Sequence, residues 1–448
     1  MSDKRVDIKE SIQRKFKNST DLVFQKLESN TSFCEFCYLS SICDKQKIHQ
    51  DIFTPFFEEE NIKEYKTYIK SLAGVKVLKE KDDPTELLIR GSMLLFFQSE
   101  ILTLEVKQFV NKTIPDTTIE TTIQGPQTGL SEDLETNINI LRNRYHQVTL
   151  AFEDAIIGEK SQTGIKIIYD SKEVDQSVLK EVKKKLDSSK VDVIQSAGQL
   201  SRLMSVRKTT LFPTIVITER PDRIAYNLSK GKIIIMLEGT RFALVIPSVF
   251  FDFMSSMDDI YQPYWITKFL LVLRYFGLGV AILLPAIYVG MTAYNPELFR
   301  VQLALSIAGS RAAVPFPAYI EVLFMLIMME LLTEASLRLP KAIGPTATTV
   351  GGLILGQAAT EAGLVSNIMI IIVSAVAISN FVIPINEMSF AMRVIKYLLL
   401  VLATILGLVG VLIGLLAIIY YLVNLNSFGK PYLQLFLREE MKESKIGS

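Results

Sequence analysis

Cys34, Cys37, Cys43 and His49 form a C-x2-C-x5-C-x5-H array, four side chains of types that bind zinc. The spacing matches no common finger. Ser32 to Leu39 alternates as a half-buried strand, with Phe33, Glu35, Cys37 and Leu39 on one face and Cys34, Phe36 and Tyr38 on the other. The two nearest thiols therefore point apart, and reduced thiols in a cytoplasmic core are the expected state. A second set of reactive types lies in apolar sequence: Arg311, Glu321, Glu330 and Glu334. A charge at mid-bilayer costs several kcal/mol unless it is paired or hydrated, so such residues mark either ion pairs or a polar path. Glu330 and Glu334 share a helix face at an offset of four. Glu321 falls on the opposite side, about two and a half turns away, and its natural partner is Arg311, ten residues earlier beyond the VPFP turn.

Catalytic motifs are missing from the chain: there is no Walker A sequence, no GxGxxG after a strand, no HExxH and no GxSxG. The only histidines, His49 and His146, lie in the charged half described next. Neither an enzyme nor a resident cofactor or metal is expected.

The elements that must position these residues are of two kinds. The chain has 448 residues with 48 Lys plus Arg, 47 Asp plus Glu and 49% hydrophobic residues. A near-neutral charge and average charge content exclude a basic nucleic-acid binder and a disordered chain. The charges are unevenly spread: 74 lie in Met1 to Tyr261 and 15 in Gln262 to Leu433. This predicts an α/β cytoplasmic N-terminal region in two subdomains (1–145 and 146–261), followed by an all-α polytopic membrane domain (262–433) and a charged tail (434–448).

In the N-terminal region, Val6 to Glu28 reads as a helix, Asp44 to Leu72 as helical stretches, and Gly91 to Gln98 with Ile101 to Lys107 as a strand pair. Beyond Tyr145 the alternation repeats: strand Gly164 to Tyr169, helix Ser171 to Leu186, strand Val191 to Ile194, helix Ala197 to Ser205, and strands Lys232 to Leu237 and Phe242 to Ile246. In the membrane region, Tyr275 to Pro296, Leu364 to Asn386 and Tyr397 to Gly429 are uncharged and long enough to span. Tyr319 to Leu332 and the Gly/Thr-rich Ala342 to Thr360 read as spans that face protein or water, and Glu297 to Gly309 as a re-entrant or interfacial piece. The total is five or six spans. The charged N-terminus without an apolar core predicts no signal peptide and a cytoplasmic N-terminal half. Arg338/Lys341, Arg393/Lys396 and the basic tail (Lys430, Arg438, Lys442, Lys445) do not decide between five and six.

Proline and glycine punctuate the membrane region at Pro285, Pro315, Pro317, Pro340, Pro345, Gly351, Gly352 and Gly356. Thr346, Thr348, Thr349 and Gln357 share the last of these segments, a composition that suits a helix lining a solute or ion path.

Several stretches carry a resemblance: IQGPQTGLSEDLETNINILRNR (Ile123 to Arg144), TERPDRIAYNLSKGKIIIMLEGTRFALVIP (Thr218 to Pro247), LLPAIYVG (Leu283 to Gly290), SRAAVPFPAYIE (Ser310 to Glu321), LRLPKAIGPTATTVGGLILGQAATEAGLVS (Leu337 to Ser366) and SFGKPYL (Ser427 to Leu433). Together, in this order, they resemble the A subunit of GerA-type spore germination receptors. The resemblance implies a nutrient-sensing complex in the spore inner membrane, with a transporter-like B subunit, a lipoprotein C subunit and a membrane region that assembles as an oligomeric, ligand-gated ion channel. The chain departs from the pattern at Gln124 (usually basic), Leu130 (usually Phe) and Arg241 (usually Pro).

The resulting expectation is a germinant-receptor A subunit whose Val350, Leu353 and Gln357, recurring at helical spacing, line the path, while Glu219, Arg220 and Asp222 couple the cytoplasmic region to it. The alternatives are a secondary transporter using Glu321, Glu330 and Glu334, and a non-conducting scaffold for partner subunits.

Overall fold

The computed structural model describes residues 2–29, 33–59, 61–79, 81–98, 100–108, 114–120, 122–205, 210–340 and 343–434. Ser32, Lys341 and the tail charges Arg438, Lys442 and Lys445 lie outside them. The chain forms two compact units. One comprises Met1–Lys208, Thr214–Ser248 and Ser427–Gly429; the other comprises Thr209–Pro213, Val249–Asn426 and Lys430–Ser448.

The first unit is α/β and holds two five-stranded antiparallel sheets. Strands β1 (Leu22–Glu28), β2 (Phe33–Leu39), β3 (Lys76–Val77), β4 (Ser92–Phe96) and β5 (Ile101–Glu105) make one, in the order β1-β2-β4-β5-β3. Strands β6 (Leu150–Ile157), β7 (Thr163–Asp170), β8 (Val216–Thr218), β9 (Ile233–Leu237) and β10 (Ala243–Ile246) make the other, in the order β6-β7-β9-β10-β8.

Alternation along β2 sends Cys34, Phe36 and Tyr38 into one core cluster, which also contains Cys43, and Cys37 and Leu39 into another on the opposite face. Both faces are covered, which is why β4 reads as a continuous apolar run. All three thiols are free and buried. Burial pushes Cys34 and Cys43 up to about 12, so both stand as protonated thiols.

Two segments differ from the sequence reading. The N-terminal helix ends at Lys15, and Leu22–Glu28 pairs with β2, since LVFQKLE alternates and has a strand partner in register, Gln25 opposite Phe36. Residues 191–194 join no ladder. The Val191 and Asp192 carbonyls instead accept from Glu159 and Lys160 N–H at 2.8 Å, closing the turn between β6 and β7.

Asp21, Arg142 and Phe152 tie this unit together. Arg142, on the Leu134–Arg144 helix, is fully buried and donates to both Asp21 oxygens, at 3.1 and 3.0 Å. Its guanidinium carbon lies 4.6 Å from the Phe152 ring of β6. Burial raises the Asp21 carboxyl, but the Arg142 charge and hydrogen bonds from Arg142, Ser19 and Ser41 outweigh it and hold the group below its ordinary 3.8. A depressed carboxyl contributes stability that is complete above the unfolded value and lost as pH falls through the folded one. The unit is therefore expected to weaken below about pH 4. Asp21→Asn should flatten that acid limb in a circular-dichroism titration, and an unchanged limb would refute the assignment.

The second unit is helical: Tyr264–Tyr294, Val301–Arg311, Ala318–Arg338, Gly344–Glu361, Asn367–Asn380 and Asn386–Asn424. Tyr264–Tyr294 and Asn386–Asn424 are long and apolar enough to cross a membrane. Asn367–Asn380, by contrast, at 14 residues is only about 21 Å long, shorter than the span read over Leu364 to Asn386.

The longest helix is not one rod. Gly407 adopts φ 63°, ψ −142°, outside helical space. A Cβ at Gly414 would sit 2.5 Å from Leu399 Cδ2, and one at Gly410 would collide with the Leu402 carbonyl. Positions 402 and 410 of a straight helix are about 12 Å apart. The two contacts, 402 with 410 and 399 with 414, centre within half a residue of each other, just before Gly407, the signature of antiparallel legs. Residues 386–406 and 408–424 thus form a helical hairpin that reverses at Gly407. The reversal frees carbonyls from the i→i+4 ladder, and Tyr294 Oη donates to Thr404 O at 2.5 Å and Ile405 O at 3.3 Å. Beyond Asn424 the chain re-enters the first unit, where Phe428 joins the core of the second sheet and Ser427 Oγ donates to Thr214 O at 3.0 Å.

Candidate functional site

Within the helical unit the carboxylates separate into three environments. The turn at 312–317 brings the end of the Val301–Arg311 helix against the start of Ala318–Arg338, and Arg311 Nε lies 3.3 Å from Glu321 Oε2. Arg311 also donates to Phe316 O at 3.3 Å. Glu321 is 1% exposed, and its other oxygen accepts from Ser366 N at 2.6 Å and Ser366 Oγ at 2.5 Å. Ser366 is the N-cap of Asn367–Asn380, so the carboxylate also faces the positive end of a helix. Every oxygen is occupied, and Glu321 fastens three helix ends. The pairing read from the sequence is present.

Glu330 and Glu334 do not act as a pair. Glu334 is exposed and bonds Arg338 at 2.8 Å on its own helix. Glu330 turns to the first leg of the hairpin: Oε1 is 3.1 Å from Lys396 Nζ, and Oε2 is 3.4 Å from Arg393 Nη1. Lys396 is 2% exposed. Read along the sequence, Arg393 and Lys396 flank a span. The helix instead begins at Asn386, so the i, i+3 spacing places both on one helix face. That spacing was the available signal.

Val350, Leu353 and Gln357 occupy one exposed face of Gly344–Glu361, Leu353 being 61% exposed, and Ile354 adjoins them. The opposite face carries the glycines. A Cβ at Gly351 would lie 3.0 Å from Leu332 Cδ1, so the small residue lets the two helices approach. Thr348 and Thr360 hydroxyls donate to their own helix at Gly344 O and Gly356 O, at 2.8 and 3.1 Å, which satisfies them without a partner helix.

Glu219, Arg220 and Asp222 lie in the first unit and form a latch. Glu219, 1% exposed, accepts from the backbone N–H groups of Thr118 and Ile119 at 2.5 Å and of Glu120 at 3.3 Å. Arg220 grips Asp222 through two bonds, of 3.0 and 2.5 Å, and donates to Glu120 O at 3.2 Å. The neighbouring Arg223 holds Glu120 at 2.9 Å, and Arg241 donates to Asp116 O at 3.0 Å and Leu130 O at 3.3 Å. The latch thus fixes residues 116–120 and Leu130. Arg241, where the resemblance has Pro, is one of its fasteners. The roles of Glu120, Arg223 and Arg241 had no periodic signal, because their partners are about 100 or more residues away.

Comparisons with known proteins give the family. Residues 10–446 match the family model of the Bacillus/Clostridium GerA spore germination protein. Spore germination protein KA of Bacillus subtilis (strain 168) is 32% identical over 427 residues, which cover 93% of this chain and 78% of that protein. Spore germination protein GerLA of Bacillus cereus is 31% identical over 436 residues, covering 95% and 89%. The crystal structure of the N-terminal domain of the A subunit of the Bacillus megaterium spore germinant receptor GerK3 is similar at 25% identity and a TM-score of 0.41, covering 54% of this chain and 93% of that one. The match to the family model over nearly the whole sequence, with relatives above 30% identity along most of their own length, makes this chain a member of the GerA family of spore germination proteins.

Proposed function

We propose that the chain is the A subunit of a nutrient germinant receptor whose helical regions assemble, copy against copy, into a ligand-gated ion channel in the spore inner membrane. The observation that carries this reading is the bare face of Gly344–Glu361: Val350, Leu353 and Gln357 point away from the chain's own helices while Gly351 and Gly352 pack behind them. A face of apolar side chains ending in the amide of Gln357 suits a gated, partly hydrated path better than lipid contact. The partners are the transporter-like B subunit and the lipoprotein C subunit, and the first unit is cytoplasmic. The hairpin at Gly407 and the return of Ser427–Gly429 to the first unit support an even number of crossings, six, with the C-terminal tail on the side of the N-terminal region. The Glu219–Arg220–Asp222 latch stiffens the domain through which ligand-driven movement would reach the membrane, by biasing a closed-to-open equilibrium. Occupied carboxylates at Glu321 and Glu330 weigh against a transporter that exchanges ions through them.

Leu353→Ala, introduced with the partner subunits in spores, is expected to change nutrient-triggered or spontaneous ion release several-fold, since a smaller side chain widens the constriction. Val350→Ala should act in the same direction. Wild-type release from both would remove this face from the path, and reconstitution without unitary conductance would remove the channel.

A further inference from the structure

Glu330 is one carboxylate facing two cations. Its oxygens are divided between Lys396 and Arg393, so the cluster carries one positive charge in excess. Lys396 is almost wholly withdrawn from water, and Arg393 Nε is buried with no hydrogen-bond partner among the described residues. Lys396 is buried while the Glu330 and Arg393 side chains are 29% and 21% exposed, so the excess charge lies at a partly open wall, where an orphaned charged donor is still costly if the surroundings are apolar. The same three residues line a cavity of about 70 Å³ between the Ala318–Arg338, Gly344–Glu361 and Asn367–Asn380 helices and the first hairpin leg. Thr348, Val373 and Asn380 complete the part of its wall that matters, an amide and a hydroxyl against an aliphatic floor.

We propose that this cavity is a binding site for a small monovalent anion of the chloride class. The cavity has room for one such ion with its nearest waters, since about 10–15 Å³ of probe volume holds one water. The charge excess is one unit, which a monovalent anion cancels and a divalent one would overshoot. Arg393 supplies a directed N–H donor, Lys396 a second cation, and the Asn380 amide a neutral donor within the same wall. Bound there, the anion would join four helices around Glu330 and stabilise that packing. The inference concerns a single chain and stands whether or not copies assemble into a channel.

The test uses the full-length chain in non-ionic detergent. Its thermal unfolding is followed while sodium gluconate, a bulkier organic anion, is replaced by sodium chloride at constant ionic strength. The unfolding temperature is expected to rise and saturate with chloride. Lys396→Met, which removes the excess charge, should abolish the saturable rise. Glu330→Gln raises the excess to two and should move the half-saturation point to lower chloride, by roughly tenfold or more for a charge pair at this range. The two variants are predicted to move in opposite directions, so a folding failure in one leaves the other decisive. A rise that never saturates, or is equal in both salts, overturns the site; so does a Glu330→Gln protein whose half-saturation stays or moves upward.

Discussion

Replacing Gly410 with leucine is expected to separate the two legs of the membrane hairpin, the largest effect of any single substitution in the helical unit. Even the first carbon of the new side chain would occupy the space of the Leu402 carbonyl, and backbone cannot yield as a side-chain tip does. Ordinary overpacking of a core costs about 1–3 kcal/mol, relieved by rotamer changes, and that route is closed here. Gly414 and Gly407 are similarly constrained: Leu399 lies against the first, and the Tyr294 ring lies 2.8 Å from a Cβ at the second. Length decides what the alternative would look like. A continuous helix of 39 residues would be about 58 Å long, nearly twice the ~30 Å hydrocarbon core, with position 406 near its middle. In the hairpin, position 406 is at the turn. A Leu406→Cys protein in sealed vesicles should therefore react with a membrane-impermeant maleimide, against a small background, because the native thiols are buried. Adding Gly410→Leu should reduce that labelling severalfold or destabilise the protein outright. An unreactive Leu406→Cys in the otherwise native chain would contradict the hairpin.

Arg142→Met should destabilise the α/β unit by about 3–5 kcal/mol, because it leaves Asp21 ionised, buried and without its partner. Ser19 Oγ, at 2.8 Å from Arg142 Nη2, and the Gln147 carbonyl lose a donor as well. The loss should appear in the full-length protein as faster amide hydrogen exchange in both β1 and β6, since the guanidinium touches the segment before one strand and the ring of the other. Adding Asp21→Leu should restore much of the stability, because a pair of apolar residues of similar volume often serves as well as a buried ion pair. A loss below about 1 kcal/mol, or exchange confined to one sheet, would show that the residue does not join the sheets.

The α/β character of the first region, the thiol placement on opposite faces of β2 and the Arg311–Glu321 pair were legible along the chain. Each depends on local period or on partners ten residues apart. Long-range pairing leaves no such trace. The helix expected to reach Glu28 ends at Lys15, because β1 has a strand to pair with that a local reading does not see. The uncharged run ending at Gly429 looked like one long span, although Gly407, Gly410 and Gly414 stand in it at spacings of three and four, a small-residue pattern that signals close helix contact without saying with what.

By itself, then, the sequence determined that this protein is a charged α/β region joined to a polar, broken helical membrane region, because hydropathy and periodicity act over tens of residues. Only the tertiary structure decided which charges meet. Glu330 finds Lys396 and Arg393 more than 60 residues away, Glu219 closes on a loop 100 residues upstream, and the last helix reverses on itself. Such pairings follow from how helices and loops pack in three dimensions. Period and composition, which repeat along the chain, carry no record of them.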